Sequence, residues 1–257
     1  NRSLKRRLAS YDADGDDEDV TISANLDAGG DVVVTVQGAA GDIIIDSAQD
    51  NRGSTTLNGP VSLNEDLAAA DDITVNGALA IGGAAPRLIT AGGSLDINGD
   101  ITDTGGAIAL TLTGTEEVVV ENIGVGSPVG ALTISTDQAG LGGDIEAASV
   151  DTTGVGLTTL NADVSIDTTG LISLGDLIGA HLLTLTSVGA DIELRDAAIQ
   201  ALTIDAAVDV DFAGNFDTTG NVALTGVSGV TTVQGTGSVD AGGTIAMTTE
   251  GNIVVSG

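Results

Sequence analysis

Cysteine is absent from all 257 residues. That removes disulfides, thiolate metal sites and cysteine nucleophiles, and it is compatible with a protein exported from a bacterium. Tryptophan is absent too, and aromatics make up 1% of the chain. Aromatic side chains normally supply much of the volume of a thick core. Here Ile, Val, Leu and Ala must fill it, which suits a narrow, evenly layered core. Basic residues are scarce: 7 against 37 acidic ones, for a formal net charge of −30. Four of the seven, Arg2, Lys5, Arg6 and Arg7, lie at the start, leaving Arg52, Arg87 and Arg195 for the rest. A body this acidic repels phosphate backbones, so nucleic acid is excluded as a partner. No apolar run approaches the roughly 18–20 residues of a membrane helix, so no transmembrane segment is expected. His181 is the single histidine, which excludes a zinc site or catalytic arrangement needing two; a strand or corner position is expected for it. The stretch LKRRLAS (residues 4–10) has charge but no apolar region, so it is not a signal peptide. The chain opens on Asn1 rather than Met, as a mature form or an excised piece would.

What is abundant is glycine, 38 residues, and it falls into a pattern. GGAIALTL at Gly105–Leu112 is a glycine turn followed by a short strand alternating large and small residues. Versions recur as GGDVVVTV at Gly29, GALAIGG at Gly77, GGSLDING at Gly92, GALTIST at Gly130 and GNVALTG at Gly220. Such a unit cannot bury its own apolar face and must stack on copies of itself. The spacing is irregular, so a strict hexapeptide or nonapeptide repeat is ruled out. A coil of about 20–25 residues, with two or three strands and variable corners, fits better.

DTTG at Asp151, Asp167 and Asp217, with DTGG at Asp103, reads as a corner in which Asp caps its own turn and Gly supplies the unusual φ. Asn-Gly pairs usually mark hairpins; in a parallel array they serve equally well as corners, since both residues tolerate the left-handed region. Strands are expected at residues 20–24, 31–37 and 42–46, and a loop at 48–54. The best helical windows, residues 64–71 and 195–201, are short. The glycine pairs are not phosphate loops, because no long helix and lysine follow them. Phe212 and Phe216 are expected in the core.

The phrases STTLNGPVSLNEDLAAADDITVNGALAIGG and AGGSLDINGDITDTGGAIALTLTG resemble the repeats of large bacterial exoproteins of the filamentous-haemagglutinin type. The resemblance covers most of residues 20–257. It implies an all-β, right-handed parallel β-helix (a β-solenoid), export across a bacterial envelope, and a surface or matrix role. At about 4.8 Å per coil, about ten coils make a rod about 50 Å long. The domain reading is residues 1–19 as a basic then acidic N-terminal segment, and 20–257 as the solenoid.

Chemistry, where it exists, is expected in departures from the repeat. The acidic run YDADGDDED places Asp12, Asp14, Asp16 and Asp19 at spacings that resemble the start of a Ca²⁺ loop. Asp17 and Ser23 depart from the EF-hand pattern, and a solvated acidic linker is the other reading. Asp205, Asp209 and Asp211, with Asp191 and Glu193 about one coil earlier and Arg195 nearby, form the best acidic cluster of the body. It reads either as a solvated face or as the site of a polysaccharide enzyme, although stacking aromatics are missing. No catalytic residue or cofactor is assigned.

The expected function is that of a structural or adhesive rod, secreted or displayed on a bacterial surface, stacking end to end or on neighbouring repeats of a longer chain. Cell-surface or matrix glycans are the expected outside partners. The alternative is an extracellular β-helix that binds or cleaves polysaccharide.

Overall fold

The computed structural model describes residues 9–13, 19–26, 29–36, 41–84, 86–234 and 237–256. Every regular element among them is a β-strand, and every pairing between strands is parallel. The strands fall into three stacked columns, so the chain is a three-faced parallel β-solenoid of about 11 turns. Face 1 begins with Ala9–Ala13, Val32–Val36 and Thr55–Asn58; face 2 with Val20–Ile22, Ile43–Ile45 and Val61–Leu63; face 3 with Gln49–Asn51, Leu67–Ala69 and Arg87–Ala91.

The register gives the coil length directly. Val32 pairs with Thr55 and Thr55 with Ile73, so one coil takes 23 residues and the next 18. That difference is absorbed at the corners, which is why the glycine anchors show no fixed period.

Most faces are only three residues wide, and two of the three side chains point inward. Inward positions stack like on like. On face 2 one aliphatic column runs from Val20 through Ile43, Val61, Leu79 and Ile101 to Leu224 and Met247. Each buried aliphatic side chain removed from water contributes about 1.5–3 kcal/mol, and no large aromatic is needed to fill so thin a cross-section. The two phenylalanines are the exception. Phe212 and Phe216 are both fully buried and meet edge to face, with ring centroids 5.3 Å apart. Phe216 stacks above Ala197 and below Val239, so its bulk fills the room that the alanine leaves.

The Asn-Gly pairs are corners between faces 1 and 2. The Asn76 amide donates to Asn58 Oδ1 (2.8 Å), and the Asn98 amide donates to Asn76 Oδ1 (3.1 Å). The glycines beside them come into close backbone contact. A Cβ on Gly77 would collide with the Gly59 carbonyl, and one on Gly99 with that of Gly77.

Two local readings are corrected. The 48–54 stretch is not all loop, since Gln49–Asn51 is the first strand of face 3. Gln49 and Asn51 turn inward, and among the described residues no strand pairs with the lower edge of Gln49–Asn51. The Gln49 amide donates to the carbonyls of Ser47 and Ala24, and its Oε1 accepts the N–H of Leu26. The two helical windows are strands as well, at Leu67–Ala69 and Ala197–Ile199.

Replacing Phe216 by Ala leaves a cavity between Ala197 and Val239. The expected cost is about 3–5 kcal/mol, read as a lowered midpoint of urea unfolding; an unchanged midpoint would show that the coil collapses onto the gap.

Candidate functional site

Among the described residues many carboxylates sit at corners, and several of these have structural work. A strand leaving a corner presents an N–H that points along the solenoid axis, and the Asp or Asn one coil below accepts it. Asp42 N–H donates to Asp19 Oδ1 (2.9 Å), Asp144 N–H to Asn122 Oδ1 (2.8 Å) and Ser165 N–H to Asp144 Oδ1 (2.8 Å). The same device serves other corners: Asn215 N–H donates to Asp196 Oδ1 (2.6 Å), and Val230 N–H to Asp209 Oδ1 (2.6 Å). Buried or crowded N–H groups left without an acceptor cost about 1–3 kcal/mol each, so the acidic composition is in part a capping system.

The Asp-Thr-Gly corners divide in two. Asp103 accepts from the N–H groups of Gly105 (2.6 Å), Gly106 (2.9 Å) and Ile108, holding Ala107 at φ 62°. Asp151 Oδ1 accepts from Thr153 N–H at 2.8 Å. At the two later copies the threonine closes the turn instead: Thr168 donates to the Gly170 carbonyl and Thr218 to that of Gly220.

These contacts sort the residues singled out in the sequence. Asp19 is the lowest member of a corner ladder. Asp12 lies on the strand Ala9–Ala13, paired with Thr35, while Asp14 and Asp16 lie outside the described residues. Among the described residues no three of His, Asp and Glu converge as a metal site. His181 stands at a corner, its Nδ1 3.6 Å from Asp163 of the coil below. Asp191 and Asp209 belong to one corner ladder, since Asp209 N–H donates to Asp191 Oδ1 (3.1 Å). Asp205 lies apart on face 2, within reach of the Thr225 hydroxyl at 3.3 Å.

Glu193 and Asp211 are different. They are register partners on the outside of face 3, in the column Asp151, Ser173, Glu193, Asp211, Thr232. Earlier in the same column stand Thr111 and Thr133, so the line turns acidic as the rod ascends. Around these two carboxylates is a groove of about 300 Å³ that also takes in Thr153, Arg195, Ala213 and Gln234. Extending the register by one residue sets Arg195 beside Ala213, whose small side chain leaves the hollow open. At the floor the buried Ser173 hydroxyl donates to Glu193 Oε2 (3.0 Å) and fixes that carboxylate. Among the described residues the side chains of Arg195, Asp211 and Gln234 have no partner, so their hydrogen-bonding groups face the hollow uncommitted. Arg87, by contrast, is turned into a corner and only 3% exposed. Sequence spacing signalled the pairing of Glu193 with Asp211. It gave no sign of Thr153, Ser173 or Gln234, which join only through the stacking.

A larger hollow of about 450 Å³ lies on face 2 against Ala107, Pro128, Val129, Ala147 and Val188. Of its two carboxylates, Glu146 already accepts the Gly126 N–H at 2.9 Å and Asp167 the Ser165 hydroxyl at 3.4 Å. The face 3 groove is therefore the better candidate for a polar ligand.

No family model, curated protein or solved structure matches this chain.

Corner acids and face acids should respond differently to removal. Asp209→Ala orphans the Val230 N–H and should lower stability by about 1–3 kcal/mol. Asp211→Ala breaks no hydrogen bond and should stay within about 0.5 kcal/mol of the parent. Paired urea titrations check this, and equal losses would contradict the division.

Proposed function

We propose that the chain is a structural rod of a secreted or surface-displayed protein, and that a second copy stacks on its last described coil as one coil stacks on the next within the chain. The observation that carries this reading is the final coil. Ile245, Ile253 and Val255 occupy inward register positions, opposite Val222, Thr231 and Val233 of the coil below. The residues below are buried, while these three are 46%, 50% and 76% exposed. Among the described residues no strand pairs with the upper edge of Ile253–Ser256. A coil of this kind is a template for another strand, whether of further repeats or of a second copy, and a head-to-tail contact between copies need not close into a ring.

A rod of this kind supplies reach and repeated contact surface rather than chemistry.

Negative-stain electron microscopy of the 257-residue chain should show filaments of one-coil cross-section that lengthen with protein concentration. Val255→Lys, which places a charge on the last described coil, should give single rods with unchanged β-sheet circular dichroism. Single rods from the parent at every concentration, or filaments from the lysine variant equal to the parent's, would refute the proposal.

A further inference from the structure

The face 3 groove has a shape that end-to-end assembly does not explain. Its walls take one residue from each of five consecutive coils: Thr153, Ser173, Glu193, Asp211 and Gln234. At about 4.8 Å per coil that is about 19 Å along the axis. With a volume of about 300 Å³ the hollow is long and narrow. It suits a linear chain lying along the rod rather than a compact molecule.

The chemistry of the walls narrows the ligand. Glu193 and Asp211 offer acceptors, Arg195 offers donors, and Gln234 and Thr153 offer both. Polar groups recur once per coil, so the ligand that answers them carries hydroxyls repeated along its length. The chain's net charge of −30 repels a polyanion. A peptide added as a further strand would need a free strand edge, and the strands beneath this groove are paired on both sides. No aromatic side chain lines the hollow, so recognition rests on hydrogen bonds, several of them charge-assisted. Ser173 holds Glu193 before any ligand arrives, which lowers the ordering cost of binding.

We infer that this groove binds a linear, neutral, hydroxyl-rich polysaccharide laid parallel to the solenoid axis. Arg195, Glu193 and Asp211 are the binding residues, and Ser173 is a positioning residue that acts through Glu193. The inference stands whether or not copies stack into filaments, because the groove lies on the side of the rod.

Affinity electrophoresis of the full chain tests it, in gels cast with laminarin, soluble starch, xyloglucan or polygalacturonate. At least one neutral polymer should retard the protein, and polygalacturonate should not. Arg195→Ala and Asp211→Asn should each weaken retardation by roughly tenfold or more, the effect of losing a charge-assisted hydrogen bond. Asp96→Asn, on the outside of face 1, should leave it unchanged. Glu193→Ala should weaken binding, with no further loss when Ser173→Ala is added. Unaltered circular dichroism spectra establish that each variant is folded. The inference fails if no neutral polymer retards the chain, if only polygalacturonate does, or if the groove variants migrate like the parent.

Discussion

A parallel solenoid depends on satisfying the backbone groups at its corners. Along the faces, stacking provides hydrogen bonds without help from side chains. At many corners the ladder continues, as from Asn76 N–H to the Leu57 carbonyl, but at others it lapses and leaves N–H groups directed at the coil below. The Asp and Asn residues at these positions restore the ladder, as Asp144 does for Ser165 and Asp209 does for Val230. The aliphatic columns supply most of the favourable burial, but they stay in register only because the corners are capped. The chain's acidity follows from this: an Asp cap offers two acceptor oxygens and no donor that would need its own partner. The same stacking brings like charges close, as in Glu193 over Asp211 and Asp217 over Asp240, so salt screens a repulsion that the fold tolerates.

The architecture was legible because the glycine turn and the alternating strand are both short-range signals. Strand positions such as Val32–Val36 and Ile43–Ile45 follow from their β-branched residues. Strands built from other material were hidden. Leu67–Ala69 and Ala197–Ile199 are Leu- and Ala-rich, and three residues are too few for a period of two to stand out against a helical one. Gln49–Asn51 was hidden for another reason: its inward side chains are polar, and Gln49 finds its partners only through stacking, on Ala24 and Leu26 of the coil below.

The candidate site divides in the same way. Asp209 and Asp211 are two residues apart and read as neighbours on one face. Both lie outward of the buried Val210, but Asp209 stands just before the strand and caps the corner, while Asp211 within it faces the groove. Coil length decides which distant residues meet, and it varies from 18 to 23 residues with the corner. That variation is set by turns such as Gly105–Ile108, whose geometry depends on one buried carboxylate rather than on a spacing rule. Thr153, Ser173 and Gln234 could not be assigned to one groove until each coil had been counted.

The direction of the inter-coil hydrogen bonds also sets how such a rod yields to force. They run along the axis, so tension between its ends loads them one coil at a time. A coil that peels away replaces about 4.8 Å of rod with roughly 60–80 Å of extended chain, at about 3.3–3.6 Å per residue. The coils still stacked stay intact, since each contacts only its neighbours. The molecule would lengthen in steps and spread a sudden load over distance, as a rope paid out from a coil does.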